Sequence, residues 1–376
     1  MSESASVVDV AARAGVSVGT VSNVLNRPER VAPSTRERVL RAIDELGFVR
    51  NEAARQLRAG RSRTIGLVVL DVRNPFFTDL AAGAEGVAVS LGLSVVLCNS
   101  SDDTSREHHY LSMLKEQRAF GILITPVGSK PAAIDEIRRR GIPVVLVDRA
   151  ARGNECSVSV NDRVGGELAV SHLIEQGHRR VGFVGGPVSL SQVSQRLAGA
   201  HAAIEAAGLP YDALTMLETP RLDVAQGRAT GEKLAAMSPR QRPTAVFCAN
   251  DLLALGLLQD TVRRRLSVPG DLAIVGYDDI DFAAAAAVPL TSVRQPRSQL
   301  GKAAMEMLIE EATDGNGHRH RQIVFEPELI VRESTVRQAG TGLHTSLGGH
   351  DAGRAPRAGH RHRRPPGGYP GCGHGG

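Results

Sequence analysis

From Thr64 to about residue 336, apolar runs of strand length alternate with stretches of helical period, and few architectures accept that order. The runs fall at 65–70, 93–98, 122–125, 143–147, 181–184, 245–248 and 272–276. They are nearly continuous in Val, Ile, Leu and Ala and do not alternate with polar residues, as strands buried on both faces do. Helical periods intervene near 77–91, 104–117, 131–140, 163–176, 195–207, 224–236, 251–264 and 297–311. So many strands exceed one compact sheet of usual size, which predicts two similar α/β lobes of parallel sheet flanked by helices. A ligand would sit between the lobes, in the crevice outside the carboxyl ends of the strands.

The first fifty residues follow a different rule. Val7, Val10, Ala11 and Ala14 recur at helical spacing, and Gly15 can take the positive φ at which a helix stops. Ser17 is placed to cap a second helix whose Val21, Val24 and Leu25 turn back onto the first. This is a helix-turn-helix pattern, and its outward face holds Val18, Gly19, Thr20, Ser22, Asn23 and Asn26. Short polar side chains at the front of a helix suit the reading of base edges in a major groove. A third helix is predicted from Ser34 or Thr35, with Val39, Ile43 and Leu46 buried and Gly47 as its stop. The segment Gly15-Val16-Ser17-Val18-Gly19 also matches the G-x-S-x-G nucleophile elbow. That motif needs a strand running into the turn, whereas Ala11-Ala12-Arg13-Ala14 favours helix, so the hydrolase reading fails.

Charge separates the segments. Residues 1–63 carry eleven arginines against seven acids, whereas residues 64–336 carry 28 basic against 32 acidic residues. A polyanion therefore suits the N-terminal part and not the middle. Asn51 to Arg63 forms an arginine-rich linker with room for a turn or two of helix, which is marginal alone. Residues 337–376 are rich in Gly, His, Arg and Pro with almost nothing apolar to bury, and are expected to be a disordered low-complexity tail. Its His344, His350, His360, His362, Cys372 and His374 could catch metal ions, but a solvating tail is the simpler reading. Cys98, Cys156, Cys248 and Cys372 are far apart in sequence, so neither a disulfide nor a zinc site is expected. Met1-Ser2-Glu3-Ser4 has no basic run leading into an apolar core, and no apolar stretch approaches bilayer length. The expected compartment is the cytoplasm.

Several ordered motifs resemble the lactose-repressor (LacI/GalR) family of bacterial transcription regulators, over nearly everything from Val7 to Arg337. They include Asp9-Val10-Ala11, Ala14-Gly15-Val16-Ser17, Thr20-Val21-Ser22 and Asn51-x-x-Ala54-Arg55-x-Leu57. Asn74-Pro75-Phe76-Phe77, Arg196-Leu197-Ala198-Gly199, Ala249-Asn250-Asp251 and Gly276-Tyr277-Asp278-Asp279 continue the series. The resemblance implies a DNA-binding head at 1–50, a hinge helix and linker at 51–63, and a two-lobed effector-binding and dimerisation domain at 64–336. Within it, lobe 1 would span about 64–162 and 294–325, and lobe 2 about 163–293 and 326–336.

The implied function is a dimeric, ligand-responsive repressor of carbohydrate uptake or catabolism genes, with a tetramer also possible. Its partners would be palindromic operator DNA and a small-molecule effector, a sugar first, with no membrane and no cofactor. The second helix would enter the major groove through Ser17, Val18, Gly19, Thr20, Ser22, Asn23 and Asn26. Leu57 would wedge between base pairs from the minor groove, with Ala54 beside it and Asn51 and Arg55 near the backbone. Many members carry Arg where this chain has Asn23, and Asn favours adenine where Arg favours guanine. Effector contacts would fall to Asn74, Phe77, Asp162, Arg196, Asn250 and Asp278. Leu222 stands where relatives often place an aromatic platform.

Two other readings carry less. A binding protein of the periplasmic type without a regulatory role would share the lobes but not the head. An enzyme on the same scaffold lacks its chemistry, since Gly182-Phe183-Val184-Gly185-Gly186 has neither phosphate-loop spacing and Asp278-Asp279 has no clustered ligands. A regulator responding to a nucleobase is the alternative within the family.

Overall fold

The computed structural model describes residues 5–48, 62–128, 132–151 and 153–336. Asn51, Ala54, Arg55 and Leu57, and the tail from Arg337, lie outside the described residues.

Three helices build the head. Helix α1 (Val7–Ala14) opens with a capping box between Ser6 and Asp9 and ends at Gly15, whose φ of 63° only glycine adopts freely. Helix α2 (Val18–Asn26) is capped by Ser17, whose hydroxyl accepts from the Thr20 amide at 3.1 Å. Helix α3 (Pro33–Leu46) starts earlier than expected, with Ala32 as its cap residue and no side-chain cap. Pro33 explains the difference: its fixed φ suits the first helical position and it has no amide hydrogen to leave unpaired. Val10, Ala11, Ala14, Val21, Val24, Val39 and Ala42 form the buried centre of the head.

Beyond the head the chain forms two six-stranded sheets. The strands are β1 (Thr64–Val69), β2 (Ser94–Asn99), β3 (Gly121–Ile124), β4 (Val144–Val147), β5 (Ser157–Val160), β6 (Val181–Gly185), β7 (Leu214–Glu218), β8 (Ala245–Cys248), β9 (Ala273–Asp278), β10 (Thr291–Arg294), β11 (Gln322–Phe325) and β12 (Glu328–Ile330). The first sheet runs β11-β5-β4-β3-β1-β2 and is parallel throughout; the second runs β12-β10-β9-β8-β6-β7, with only β12 antiparallel. Strands β1, β3 and β4 are buried along nearly their whole length, as the continuous apolar runs require.

Helices α4 (Pro75–Ser90), α5 (Thr104–Glu116), α6 (Ala132–Arg139) and α12 (Arg297–Asp314) pack with the first sheet, and α7 (Asp162–Glu175), α8 (Ser191–Ala206), α9 (Val224–Ala236) and α10 (Asp251–Arg263) with the second. A four-residue helix α11 (Asp281–Ala284) follows β9. The chain passes between the sheets after β5, after β10 and after β11. Strands β5, β7, β10, β11 and β12 are not among the runs predicted from sequence. Ser157-Val158-Ser159-Val160 and Thr291-Ser292-Val293-Arg294 mix in hydroxyl residues, and the buried Ser157, Ser159, Thr291 and Ser292 remove the apolar signature. Among the described residues no helix is long and apolar enough to cross a membrane.

Candidate ligand cleft and nucleic-acid interface

The loops at the carboxyl ends of the strands converge between the two sheets on a cleft of about 570 Å³, part of it open to solvent. Asn74, Phe77, Arg196, Asn250 and Asp278, five of the six candidate contacts, line it together with Leu222. Asp162, the sixth, stands behind Arg196.

Each polar group in this cleft is held from the backbone upward. Asn74 caps α4 by accepting from the Phe76 amide at 3.1 Å, and its amide nitrogen donates across the cleft to Asp278 Oδ2 at 2.9 Å. Gln295, at the crossing after β10, donates to the other oxygen of Asp278 at 2.7 Å. Asp278 itself has φ 104°, an unusual conformation for a non-glycine residue and one that turns the chain sharply at the end of β9. Asp251 fixes that turn from below: it accepts from the Ile280 amide at 2.8 Å and from the Ser292 hydroxyl at 2.7 Å. Asn250 caps α10 through the Leu253 amide and donates to the Leu222 carbonyl at 3.0 Å, which anchors the loop carrying Leu222.

Arg196 is the electrostatic centre. Its guanidinium donates to Asp162 Oδ1 at 2.8 Å and to the Ala249 carbonyl at 2.6 Å, and lies 3.6 Å from the centroid of the buried Tyr277 ring. Burial works against its charge, but Asp162 together with Tyr277, Asp278 and Asp148 outweighs that penalty, and the guanidinium is held more firmly charged than usual. The carboxyls of Asp148 and Asp278 move the other way. Burial pushes Asp148 upward, the charge of Asp162 adds to this, and burial likewise raises Asp278 against the opposing pull of Arg196.

Sequence reasoning missed Asp148 and Gln192. Asp148 follows β4 at φ 55°, and Gln192, in the first turn of α8, donates to its carboxylate at 2.8 Å and to its carbonyl at 2.9 Å. This is a second bond across the cleft beside Asn74 and Asp278. Asp148 Oδ1 is buried without a hydrogen-bond partner, an acceptor facing the same space. The available signal was a carboxylate directly after a buried Val-Val-Leu-Val run, the position where open α/β sheets collect ligand-binding groups. At the mouth, Arg73 forks onto Asp71 at 2.7–3.1 Å, with Asp102 and Arg221 also in the lining.

On the head, Ser17, Val18, Gly19, Asn23 and Asn26 are exposed, and Thr20 and Ser22 are half-buried. Two of these carry structural duties. The Ser17 hydroxyl caps α2 and meets that of Thr20 at 2.9 Å, and the Asn26 amide donates to the Ser22 carbonyl at 2.9 Å. Gly19 is open on its outer side, where an added Cβ would meet only the Ser17 hydroxyl at 3.6 Å.

Comparison with known proteins bears on both regions. The family described as bacterial regulatory proteins, lacI family, matches residues 6–51, and the periplasmic binding protein-like domain matches residues 170–335. The HTH-type transcriptional repressor PurR of Photobacterium profundum is 33% identical over 332 residues, covering 88% of this chain and 98% of that protein. Among solved structures, the complex of the transcriptional regulator CelR with cellobiose is 31% identical with a TM-score of 0.65, covering 88% of this chain and 99% of that one. The lac repressor dimer bound to operator and the anti-inducer ONPF is 26% identical with a TM-score of 0.77, over 89% and 100% of the two chains.

Proposed function

The chain belongs to the lacI family of bacterial regulatory proteins, a sequence-specific DNA-binding repressor by its head and its relatives, and on that premise we propose that a neutral sugar is its effector. The observation that carries this reading is the charge and donor balance of the cleft. Asp71, Asp102, Asp148 and Asp278 face Arg196 and Arg221, and Asp148 keeps a buried acceptor unpaired. Such a lining calls for a ligand rich in hydroxyl groups. Phe77 and Leu222 supply the apolar wall for the carbon face of a ring. The carbohydrate-bound relatives CelR with cellobiose and a LacI-family regulator of Enterococcus faecium with ribose are consistent with it.

Paired heads of a homodimer would then read the two halves of a palindromic operator through α2, with Asn23 the base-reading side chain that favours adenine. The connector, with Leu57 as its minor-groove wedge, would pass the state of the cleft to the heads. A nucleobase effector is the alternative, because ring donors and acceptors also match paired amides and carboxylates and relatives about one-third identical include PurR repressors.

Thermal-shift and calorimetric screening of monosaccharides, disaccharides, polyols and nucleobases tests the assignment, alongside gel shift on fragments selected from genomic DNA. A sugar at 100 times its Kd should stabilise the chain by about 2.7 kcal/mol and change fragment retention. Stabilisation by nucleobases alone would transfer the assignment to the alternative.

A further inference from the structure

At the opposite end of the first sheet from the cleft, where the strands begin, four side chains that sequence reasoning did not connect come together. Cys156 immediately precedes β5, and His318 and His320 shortly precede β11. These strands pair in parallel with Gln322 opposite Ser157, and the Ser157 amide donates to the Arg321 carbonyl at 3.2 Å. That register lays the His-x-His segment against the cysteine across 162 residues of sequence, with Cys156 Sγ 3.0 Å from His318 Nε2 and 3.4 Å from His320 Nδ1. Glu311, near the end of α12, brings a carboxylate, and one ligand atom from each of the four lies within 4.8 Å of every other.

We infer that Cys156, Glu311, His318 and His320 form a binding site for a single divalent transition-metal ion, zinc by ligand chemistry. One thiolate, two neutral imidazoles and one carboxylate make the mixed sulfur, nitrogen and oxygen set that zinc accepts, and their two negative charges neutralise the ion. With zinc to sulfur about 2.3 Å and zinc to nitrogen about 2.0–2.1 Å, a tetrahedron has sulfur-to-nitrogen edges of roughly 3.5 Å. The observed 3.0 and 3.4 Å separations are already at that scale. An independent observation is that Glu311 Oε2 is buried with no hydrogen-bond partner, a costly state for a carboxylate oxygen that a metal bond would relieve. Cys156 is only 1% exposed, so its sulfur is closed off from solvent. The sequence expectation of no zinc site came from the distances between cysteines, and this ligand set needs only one.

The ion would join the end of α12, the edge strand β11 and the start of β5. It would therefore pin the last return of the chain into the first sheet, far from the ligand cleft.

Cobalt(II) substitution tests this with the full chain. Because Cys372 and the tail histidines could also bind metal, the background is Cys372→Ser. That protein should bind cobalt with a thiolate-to-cobalt charge-transfer band and tetrahedral visible bands, and zinc should displace it at one equivalent. Cys156→Ser should abolish the charge-transfer band. His318→Gln with His320→Gln, at half-exposed positions, should weaken zinc binding by more than about tenfold, the least effect expected from disturbing even an outer-shell partner. Equal far-ultraviolet circular dichroism identifies the folded variants. Absence of the band in the Cys372→Ser protein, its survival in Cys156→Ser, or unchanged zinc affinity in a folded double histidine variant would each overturn the site.

Discussion

Arg196→Met is the most revealing perturbation of the cleft, since methionine fills comparable space and removes only the charge and its donors. Breaking a buried ion pair from one side costs about 3–5 kcal/mol, because the remaining carboxylate is left without compensation. An independent bound agrees. A carboxylate whose ordinary pKa is about 3.9 can escape by taking a proton, and at pH 7 that costs roughly three units at 1.36 kcal/mol each, or about 4 kcal/mol. At pH 5 the same escape costs only about 1.5 kcal/mol. The deficit of the variant should therefore shrink by about 2.7 kcal/mol between pH 7 and pH 5. The sign follows from linkage: a folded state that holds an extra proton gains stability as pH falls toward the unfolded pKa. Urea denaturation of both proteins at pH 5, 6 and 7 measures this, and Asp162→Asn in the variant background should recover part of the loss. A deficit below about 1 kcal/mol, or one that does not change with pH, would refute the view that Arg196 chiefly compensates buried carboxylates.

Two further outcomes rest on single groups. Burial, with Asp71 next in weight, pushes Asp102 from 3.8 to about 6, so stability should fall as pH rises through that window; Asp102→Asn should flatten the urea midpoints across it. Ser17→Ala should destabilise the head by about 1 kcal/mol through loss of the α2 cap, read as faster amide exchange in α2 with unchanged exchange around Arg196.

What could be read from sequence divides along physical lines. The head was legible because its signals are local: an apolar stripe, a capping serine and a stopping glycine within one short span. The central strands were legible because burial on both faces demands continuous apolar runs. The edge strands β11 and β12 were not, because they derive their position from partners far away in sequence, whereas the edge strand β2 was found by its apolar run. The cleft followed the same division. Asn74, Arg196, Asn250 and Asp278 were found through motifs, whereas Gln192 becomes informative only when α8 is placed opposite β4. The Cys156 cluster was invisible because parallel pairing, and no local spacing, brings its members together.

The packing within each lobe differs in kind from the contacts that join the two. Within the first lobe, α12 packs so closely on α4 that a Cβ at Gly301 would collide with the Leu80 carbonyl. Within the second, a Cβ at Gly199 on α8 would collide with the Arg163 carbonyl of α7. Helices packed backbone to backbone over parallel sheets leave each lobe little freedom to deform. Across the cleft, by contrast, the Asn74 to Asp278 and Gln192 to Asp148 bonds join the lobes beside the chain crossings. A hydrogen bond contributes about 0.5–1.5 kcal/mol, and one to a charged group about 1.5–3 kcal/mol. That is the scale of the roughly 1–3 kcal/mol by which effectors typically couple to a distant site. A ligand that took over the Asp278 and Asp148 oxygens would therefore compete for the bonds that join the two lobes.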